Sequence, residues 1–249
     1  MRNCEYVDGQ ASGNGLAFTL SFNGRQSGGD VASEIQTFHP GAGRIIQYDA
    51  CVSEGADWLA AQDSRFAHAL ELTGALPLRR RPDGFAELLS AIVSQQVSVA
   101  SANAIWTRMK EPKLTGPRQI LWAADDDLRA AGLSRQKIRY ARALAEARID
   151  YKALRSAPDA EVIATLVQVP GIGQWTAEIY AMFSLGRADV FAHGDLALQE
   201  AARVLFDLPA RPKEREMRHL AEAWSPWRSV AARILWAYYR LAKDREGIR

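Results

Sequence analysis

Cysteine is scarce in this chain of 249 residues: only Cys4 and Cys51 occur, and neither belongs to a Cys-x-x-Cys pair or a larger cluster. Because an iron–sulfur cluster or a structural zinc ion is held by several such ligands, the sequence argues against both kinds of site. Long apolar runs are also missing, since no stretch approaches the roughly 18 residues of a membrane span. The N-terminus lacks the charged and apolar regions of a secretory signal. We therefore expect a cytoplasmic protein that does not contact a membrane.

Neither sign of charge is in large excess, because 31 basic and 29 acidic residues leave a formal net charge of +2. The basic residues are nevertheless clustered. Such clusters permit binding to nucleic acid phosphates without requiring it, and solvated helix faces are the alternative. The three clusters are Arg79-Arg80-Arg81; Arg135, Lys137, Arg139 and Arg142; and Arg211, Lys213, Arg215 and Arg218.

Residues 1–43 lack the apolar periodicity of a helix. The stretch from Gly9 to Gly43 is rich in Gly, Ser, Gln and Asn, and only Ala17 to Phe22 alternates as a strand would. An isolated strand has no partner with which to pair. We therefore expect residues 1–43 to be mostly irregular and disordered, or a non-native extension read from an upstream start codon, and residues 44–249 to form the functional domain.

From about Ser53 onward the apolar residues recur with the period of a helix, as in the series Phe85, Leu88, Leu89, Ile92 and Val93. There is no run of alternating strands and no internal repeat. We therefore predict an all-α fold of about ten helices. Residues that favour helix starts or ends mark several boundaries: Pro82-Asp83, Thr115, Asp125, Gly132, Ser134, Pro158-Asp159 and Ser225-Pro226.

A candidate hairpin lies at about residues 160–185, where Pro170-Gly171-Ile172-Gly173 separates two apolar helical segments. Proline ends the first segment and the glycines allow a tight turn. Because the second helix begins at once, its unpaired N–H groups and the positive end of its dipole face the same way as the turn amides. This arrangement suits a DNA phosphate, with Ile172 anchoring the turn in the core. An ordinary corner between two helices is the alternative.

Asp195 lies twenty residues beyond Trp175, in the segment Asp189-Val-Phe-Ala-His-Gly-Asp195. Taken alone, it is a candidate N-cap residue for the helix that follows. Together with the hairpin, it resembles the helix-hairpin-helix (HhH-GPD) DNA glycosylase superfamily, in which a Gly/Pro-rich loop and an aspartate follow the hairpin. Residues 91–100, 132–137 and 226–236 resemble the 3-methyladenine DNA glycosylase II branch of that superfamily.

The resemblance implies two helical subdomains with the active site in the cleft between them, and excision of alkylated bases from duplex DNA. Asp195 would stabilise the positive charge that develops on the deoxyribose and orient the attacking water. Superfamily members that also cleave the strand use a lysine that forms a Schiff base. Trp175 occupies that position here, and no lysine lies between Lys152 and Lys213. A monofunctional glycosylase, with water as the nucleophile, is therefore expected.

Further site residues are implied by the same resemblance. Aromatic side chains would hold the flipped base by stacking, although plain core aromatics are the alternative for most of them. The base-pocket candidates are Trp175, Trp236, Tyr180, Trp122 and Tyr238.

The contacts with the DNA strand are implied in the same way. Gln96, with Gln95 as a second candidate, would fill the gap left by the flipped nucleotide; a helix-capping glutamine is the alternative. Main-chain carbonyls of Val167, Val169 and Gly171 would hold a monovalent cation, Na⁺ or K⁺. The DNA backbone candidates are Gly171, Ile172, Gly173 and Thr176.

The expected partner is double-stranded DNA containing alkylated bases, bound by a monomer that requires no cofactor and acts on bacterial-type nucleoid DNA. A non-catalytic helix-hairpin-helix DNA-binding module is one alternative function. A glycosylase for oxidised bases is another. Among alkylated substrates, 3-methyladenine, 7-methylguanine, hypoxanthine and ethenoadenine all remain candidates.

Overall fold

The computed structural model describes residues 41–246, with side chains through Lys243. Within this range the chain forms thirteen helices and no strand, and one isolated β-bridge joins Ile45 to Arg187. The all-α prediction is confirmed. The helices are α1 (Asp49–Gln62), α2 (Ser64–Thr73), α3 (Phe85–Ser94), α4 (Val99–Lys110), α5 (Pro117–Trp122), α6 (Asp125–Ala130), α7 (Arg135–Glu146), α8 (Tyr151–Leu154), α9 (Asp159–Val167), α10 (Gln174–Phe183), α11 (Leu196–Leu205), α12 (Glu214–Glu222) and α13 (Arg228–Glu246).

Most helix boundaries follow the capping residues predicted from the sequence. The Ser134 hydroxyl accepts a hydrogen bond from the Lys137 amide at the start of α7, and Gly132 takes the left-handed conformation, with φ +106°, after α6 ends. The start predicted at Ser225-Pro226 is wrong, because α13 begins at Arg228. The Ser225 hydroxyl instead donates to the Asp189 carboxylate at 2.8 Å.

The helices of residues 41–246 pack in two groups. One group contains α1, α2, α11 and α13, and the other contains α3, α4, α5, α6 and α7. The hairpin helices α9 and α10 pack on each other, and α10 contributes side chains to cavities shared with α3 and with α13. None of the helices in this range is long and apolar enough to cross a membrane.

Residues 41–46 are packed against the helical domain rather than loosely attached. Ala42 is 2% exposed and Ile46 is fully buried. The Ala42 carbonyl accepts a hydrogen bond from the guanidinium of Arg187, which is itself buried and also bonds the carbonyls of Leu154 and Ala157. Ala42 and Ile46 thus pack on the helices, and the domain boundary at residue 43 stays a prediction. Residues 1–40, which carry the rest of that prediction, lie outside the described range.

Candidate active site

The hairpin turn is fixed by Gly171 and Ile172. Gly171 has φ +95°, and a Cβ atom there would overlap the ring of Tyr140 on α7, so only glycine fits. Ile172 is 4% exposed, which confirms that its side chain anchors the turn in the core. Its amide donates to the Val169 carbonyl at 3.0 Å. Ile172 therefore supports the turn from inside, and its contact with the DNA backbone stays a prediction.

The N-terminus of α10 is the exposed part of the hairpin. Gly173 precedes the helix, and no side chain of the described residues caps it. The first amides of a helix have no partner within the helix, so those of Gln174, Trp175 and Thr176 are available to a ligand. A Cβ atom on Gly173 would meet nothing within 4 Å. This open end, where dipole and amides act together, matches the requirements of an anion such as a DNA phosphate.

Asp195 is the N-cap residue of α11, and its carboxylate also reaches two tryptophans. Oδ1 accepts hydrogen bonds from the amides of Ala197 and Leu198 at 2.9 and 3.0 Å. Oδ2 accepts from the indole N–H of Trp175 at 2.9 Å, and Oδ1 from that of Trp236 at 3.3 Å. The N-cap interpretation and the proximity to both tryptophans are therefore both correct. Four donors hold the carboxylate in one orientation.

The carboxylate borders a cavity of about 300 Å³, which we call the Asp195 cavity. Its walls come from α10, α13, the loop before α3 and the start of α11. Trp175 is 48% exposed at the mouth, so an aromatic face is accessible beside the carboxylate. The lining residues are Arg79, Arg81, Trp175, Ile179, Phe183, Asp195, Trp236, Tyr239 and Arg240.

Three of the predicted pocket aromatics lie outside the Asp195 cavity. Trp122 is 85% exposed on α5 and lines none of the cavities described here. Tyr180 is 3% exposed and its hydroxyl accepts from the Gly84 amide at 2.7 Å, where burial raises the pKa of the phenol to about 12. Tyr238 does not line the cavity either. It lies two positions beyond Trp236 on α13, and residues two positions apart point to opposite sides of a helix.

The helical period predicts other residues that line the Asp195 cavity in place of these three aromatics. Ile179 follows Trp175 by four residues and Tyr239 follows Trp236 by three, and both line the Asp195 cavity. The basic members of the lining, Arg79, Arg81 and Arg240, were not assigned to the site from sequence. Their convergence depends on the approach of the loop before α3 to α13, which no local spacing encodes.

A second cavity, of about 370 Å³, lies between α3 and α10, and we call it the Ser90 cavity. It shares Arg81, Trp175 and Ile179 with the Asp195 cavity, and Tyr180, Thr176 and Gln95 also line it. The two cavities therefore meet along one face of α10.

The two wedge candidates differ in their contacts. The Gln95 amide nitrogen donates to the Gly171 carbonyl at 2.8 Å, so its side chain links α3 to the hairpin. Gln96 has an exposed side chain and a backbone φ of +55°. Gln96 is therefore the one free to enter DNA, and its role as the wedge stays a prediction.

Two of the hairpin carbonyls predicted to hold a monovalent cation already accept a hydrogen bond. They could bind a cation only through their second lone pair. The Val169 carbonyl accepts from the Ile172 amide and the Gly171 carbonyl from Gln95. A carbonyl oxygen has two lone pairs, so each can still take one further partner. Residues 41–246 contain no group of three or more His, Cys, Asp or Glu side chains suited to a metal ion. The cation at Val167, Val169 and Gly171 stays a prediction.

A family model for HhH-GPD superfamily base excision DNA repair proteins matches residues 89–226, more than half of the chain. The chain belongs to this superfamily. The matched range contains the hairpin, Trp175 and Asp195, and it leaves Trp236 and Arg240 beyond its end.

Individual relatives agree with this assignment. DNA-3-methyladenine glycosylase 1 of Schizosaccharomyces pombe is 31% identical over 203 residues, which cover 77% of this chain and 89% of that protein. A crystal structure of a DNA-3-methyladenine glycosidase from Bacillus halodurans has a TM-score of 0.70 at 36% identity, covering 76% of this chain and 91% of that one. A 3-methyladenine DNA glycosylase from S. pombe in complex with abasic DNA has a TM-score of 0.64 at 31% identity, covering 74% and 95%.

Proposed function

We propose that this base excision repair protein hydrolyses the N-glycosidic bond of alkylated bases, of the 3-methyladenine and 7-methylguanine type, in duplex DNA. One observation carries the proposal: the Asp195 carboxylate, held by two backbone amides and two indole N–H groups, borders a cavity with an accessible tryptophan face. The names of the S. pombe and B. halodurans relatives support the same substrate class.

The reaction follows from these groups. The damaged nucleotide leaves the base stack, at a cost of about a few kcal/mol, and its base enters the Asp195 cavity. Methylation makes a purine cationic, and a cation over an indole face gains about 1–2 kcal/mol. As the bond between C1′ and the base nitrogen breaks, its electron pair leaves with the base, and Asp195 stabilises the cationic sugar. Water then adds to C1′ and transfers a proton to the carboxylate.

The absence of an amine near the site supports hydrolysis without strand cleavage. Residues 153–212 contain no lysine, and Trp175 takes the position at which the resemblance places a Schiff-base lysine. The alternative, an oxidised-base glycosylase with lyase activity, requires a covalent enzyme–DNA intermediate. Borohydride trapping of such an adduct would establish that alternative.

Asp195→Asn tests the catalytic assignment. Asparagine keeps the size of the side chain and one oxygen for the α11 amides, but it lacks the charge that stabilises the sugar cation. We expect wild-type protein to release methylated bases from alkylated duplex DNA, identified by mass spectrometry. The variant should lose at least about 100-fold in rate while it still binds an abasic duplex.

The wild-type measurement also addresses the binding-module alternative. Protein that binds the abasic duplex but releases no base from any alkylated substrate would be a non-catalytic DNA-binding module. We further propose that the active unit is a monomer, because an enzyme with one site for duplex DNA needs only one copy of the chain.

A further inference from the structure

Three guanidinium groups line the Asp195 cavity in addition to the aromatic residues. Arg79 and Arg81 come from the loop before α3, and Arg240 comes from α13, one helical turn beyond Trp236. We call these three residues the arginine cluster. None of them contacts Asp195 through a hydrogen bond or an ion pair among the described residues, so the carboxylate does not account for their position.

Among the side chains that the structure describes, few acidic groups compensate the positive charge of the cluster. Arg81 has one ion pair, at 3.4 Å to Glu87, whereas Arg79 and Arg240 have none with any described side chain. Burial lowers the pKa of Arg79, and repulsion from Arg240 and Arg81 lowers it further. Charges of the same sign that repel each other at a common opening are stabilised by an anion that all of them can reach.

Beneath the cluster lies a further arginine, Arg233, which adds positive charge instead of compensating it. Arg233 is 2% exposed beneath the loop, donates to the Leu78 carbonyl at 3.1 Å and lies over the Phe183 ring. Burial lowers its pKa to about 10, and Arg79 and Arg80 contribute to that shift. Arg79 itself has a backbone φ of +53°, a left-handed conformation that non-glycine residues rarely adopt. The fold thus holds this loop in place despite repulsion and strain.

A methylated purine is the wrong ligand for these guanidinium groups because it is itself cationic. A DNA phosphate is the right one: it is anionic, and arginine binds it through two parallel hydrogen bonds. The sugar whose C1′ atom faces Asp195 carries a phosphate on C3′ and another on C5′. Each phosphate is only a few bonds from C1′. A phosphate therefore lies close to the Asp195 carboxylate whenever a flipped nucleotide occupies the cavity.

We propose that the arginine cluster binds a phosphate that flanks the flipped nucleotide, as a second DNA-backbone site separate from the N-terminus of α10. The site draws the extruded sugar towards Asp195 and neutralises the guanidinium groups, so that a cationic base can enter the same cavity. This inference rests on the proposed glycosylase function.

The test replaces single phosphates with neutral methylphosphonates. Binding to a duplex with an abasic-site analogue is measured for wild type, Arg79→Gln, Arg240→Gln and a control, Arg118→Gln, an exposed arginine on α5 that lines none of the cavities described here. Each protein is tested with the neutral linkage 5′ to the analogue, 3′ to it, or ten base pairs away. The rate of 7-methylguanine release is measured in parallel.

We expect wild type and Arg118→Gln to lose about tenfold in affinity when one particular flanking phosphate is neutralised, and nothing when the distant one is. Arg240→Gln and Arg79→Gln should lose about tenfold on unmodified DNA, lose no more with the neutral linkage, and show a salt dependence shallower by about one counterion.

Two results would overturn the proposal. In the first, wild type binds all methylphosphonate duplexes equally well but still releases bases, so the glycosylase function stands and the phosphate site falls. In the second, Arg240→Gln binds unmodified DNA as tightly as wild type does, stays as sensitive to the neutral linkage as wild type, and loses more rate on neutral hypoxanthine than on 7-methylguanine, which would place the cluster on the departing base.

Discussion

At the scale of single residues, the two glycines of the hairpin turn have different functions. Gly171 is required by its positive φ and by the Tyr140 ring, whereas Gly173 has an extended backbone that any residue can adopt and open space beside it. The first glycine therefore maintains the fold, and the second leaves room for a ligand.

Alanine substitutions separate these two functions. Gly173→Ala places a methyl group where the phosphate approaches, so it should weaken binding to all DNA sequences about equally and change the melting temperature by only a degree or two. Gly171→Ala forces a left-handed alanine against Tyr140 and should destabilise the fold by about 1–3 kcal/mol. Thermal melting and equilibrium DNA binding measure both effects. Unchanged affinity in a folded Gly173→Ala protein would show that no DNA phosphate binds at the N-terminus of α10.

The residues that the sequence placed correctly are those with a fixed chain spacing. Asp195, Trp175 and Trp236 come together as the resemblance implied. Basic residues were harder to interpret, because the sequence does not show what a long side chain reaches. Lys137, in one of the basic clusters that permit phosphate binding, is 8% exposed and donates to the Val93 carbonyl. Arg142, in the same cluster, binds carbonyls at the end of α5.

At the scale of secondary-structure elements, α3 and the hairpin are connected by one side chain. Gln95 follows the last residue of α3, and its amide nitrogen donates to the Gly171 carbonyl. The adjacent Lys137 ammonium group binds the Val93 carbonyl in the last turn of α3. The turn that carries Gln96 is thereby fixed relative to the turn that presents the α10 amides.

Gln95→Ala should loosen this connection without removing a DNA contact. The loss of one hydrogen bond costs about 0.5–1.5 kcal/mol of stability. We expect affinity for undamaged duplex to remain within about twofold and base release to fall by about tenfold, because Gln96, the predicted wedge, and the predicted phosphate site on α10 lose their fixed spacing. Gln96→Ala is the matched comparison, with less effect on melting. A Gln95→Ala protein with normal base release would show that the connection is only structural.

The sequence predicts a helix boundary correctly where the capping residue acts on its own helix. It fails where a tertiary contact engages the capping side chain elsewhere. Ser134 and Asp195 cap helices as expected. Ser225 does not, because a distant carboxylate, Asp189, takes its hydroxyl. The thirteen helices exceed the expected ten partly because α8 has four residues, too few to display an apolar period.

At the scale of the whole domain, the buried Arg187 joins three parts of the chain. Its guanidinium group donates to carbonyls of Ala42, Leu154 and Ala157, and its amide donates to Ala181. Burial lowers its pKa. Such a group is costly to bury unless its donors are satisfied, so each carbonyl matters to stability.

Two truncations test this connection. Removal of residues 1–43 deletes the Ala42 carbonyl and its buried methyl group, whereas removal of residues 1–40 keeps both. We expect the shorter protein to be less stable by about 1–3 kcal/mol, seen as a lower melting temperature in the same buffer. Identical melting curves for the two proteins would mean that the Ala42–Arg187 bond contributes nothing.

Trp175 stands only two residues beyond Gly173, within the first turn of α10. Whatever strand the exposed amides clasp is therefore read at a constant offset, because a single rigid turn sets the interval between the clasped position and the aromatic wall. A strand bound in this way would present one nucleotide at a time to Trp175, and the antiparallel complementary strand would be presented only in the opposite binding orientation.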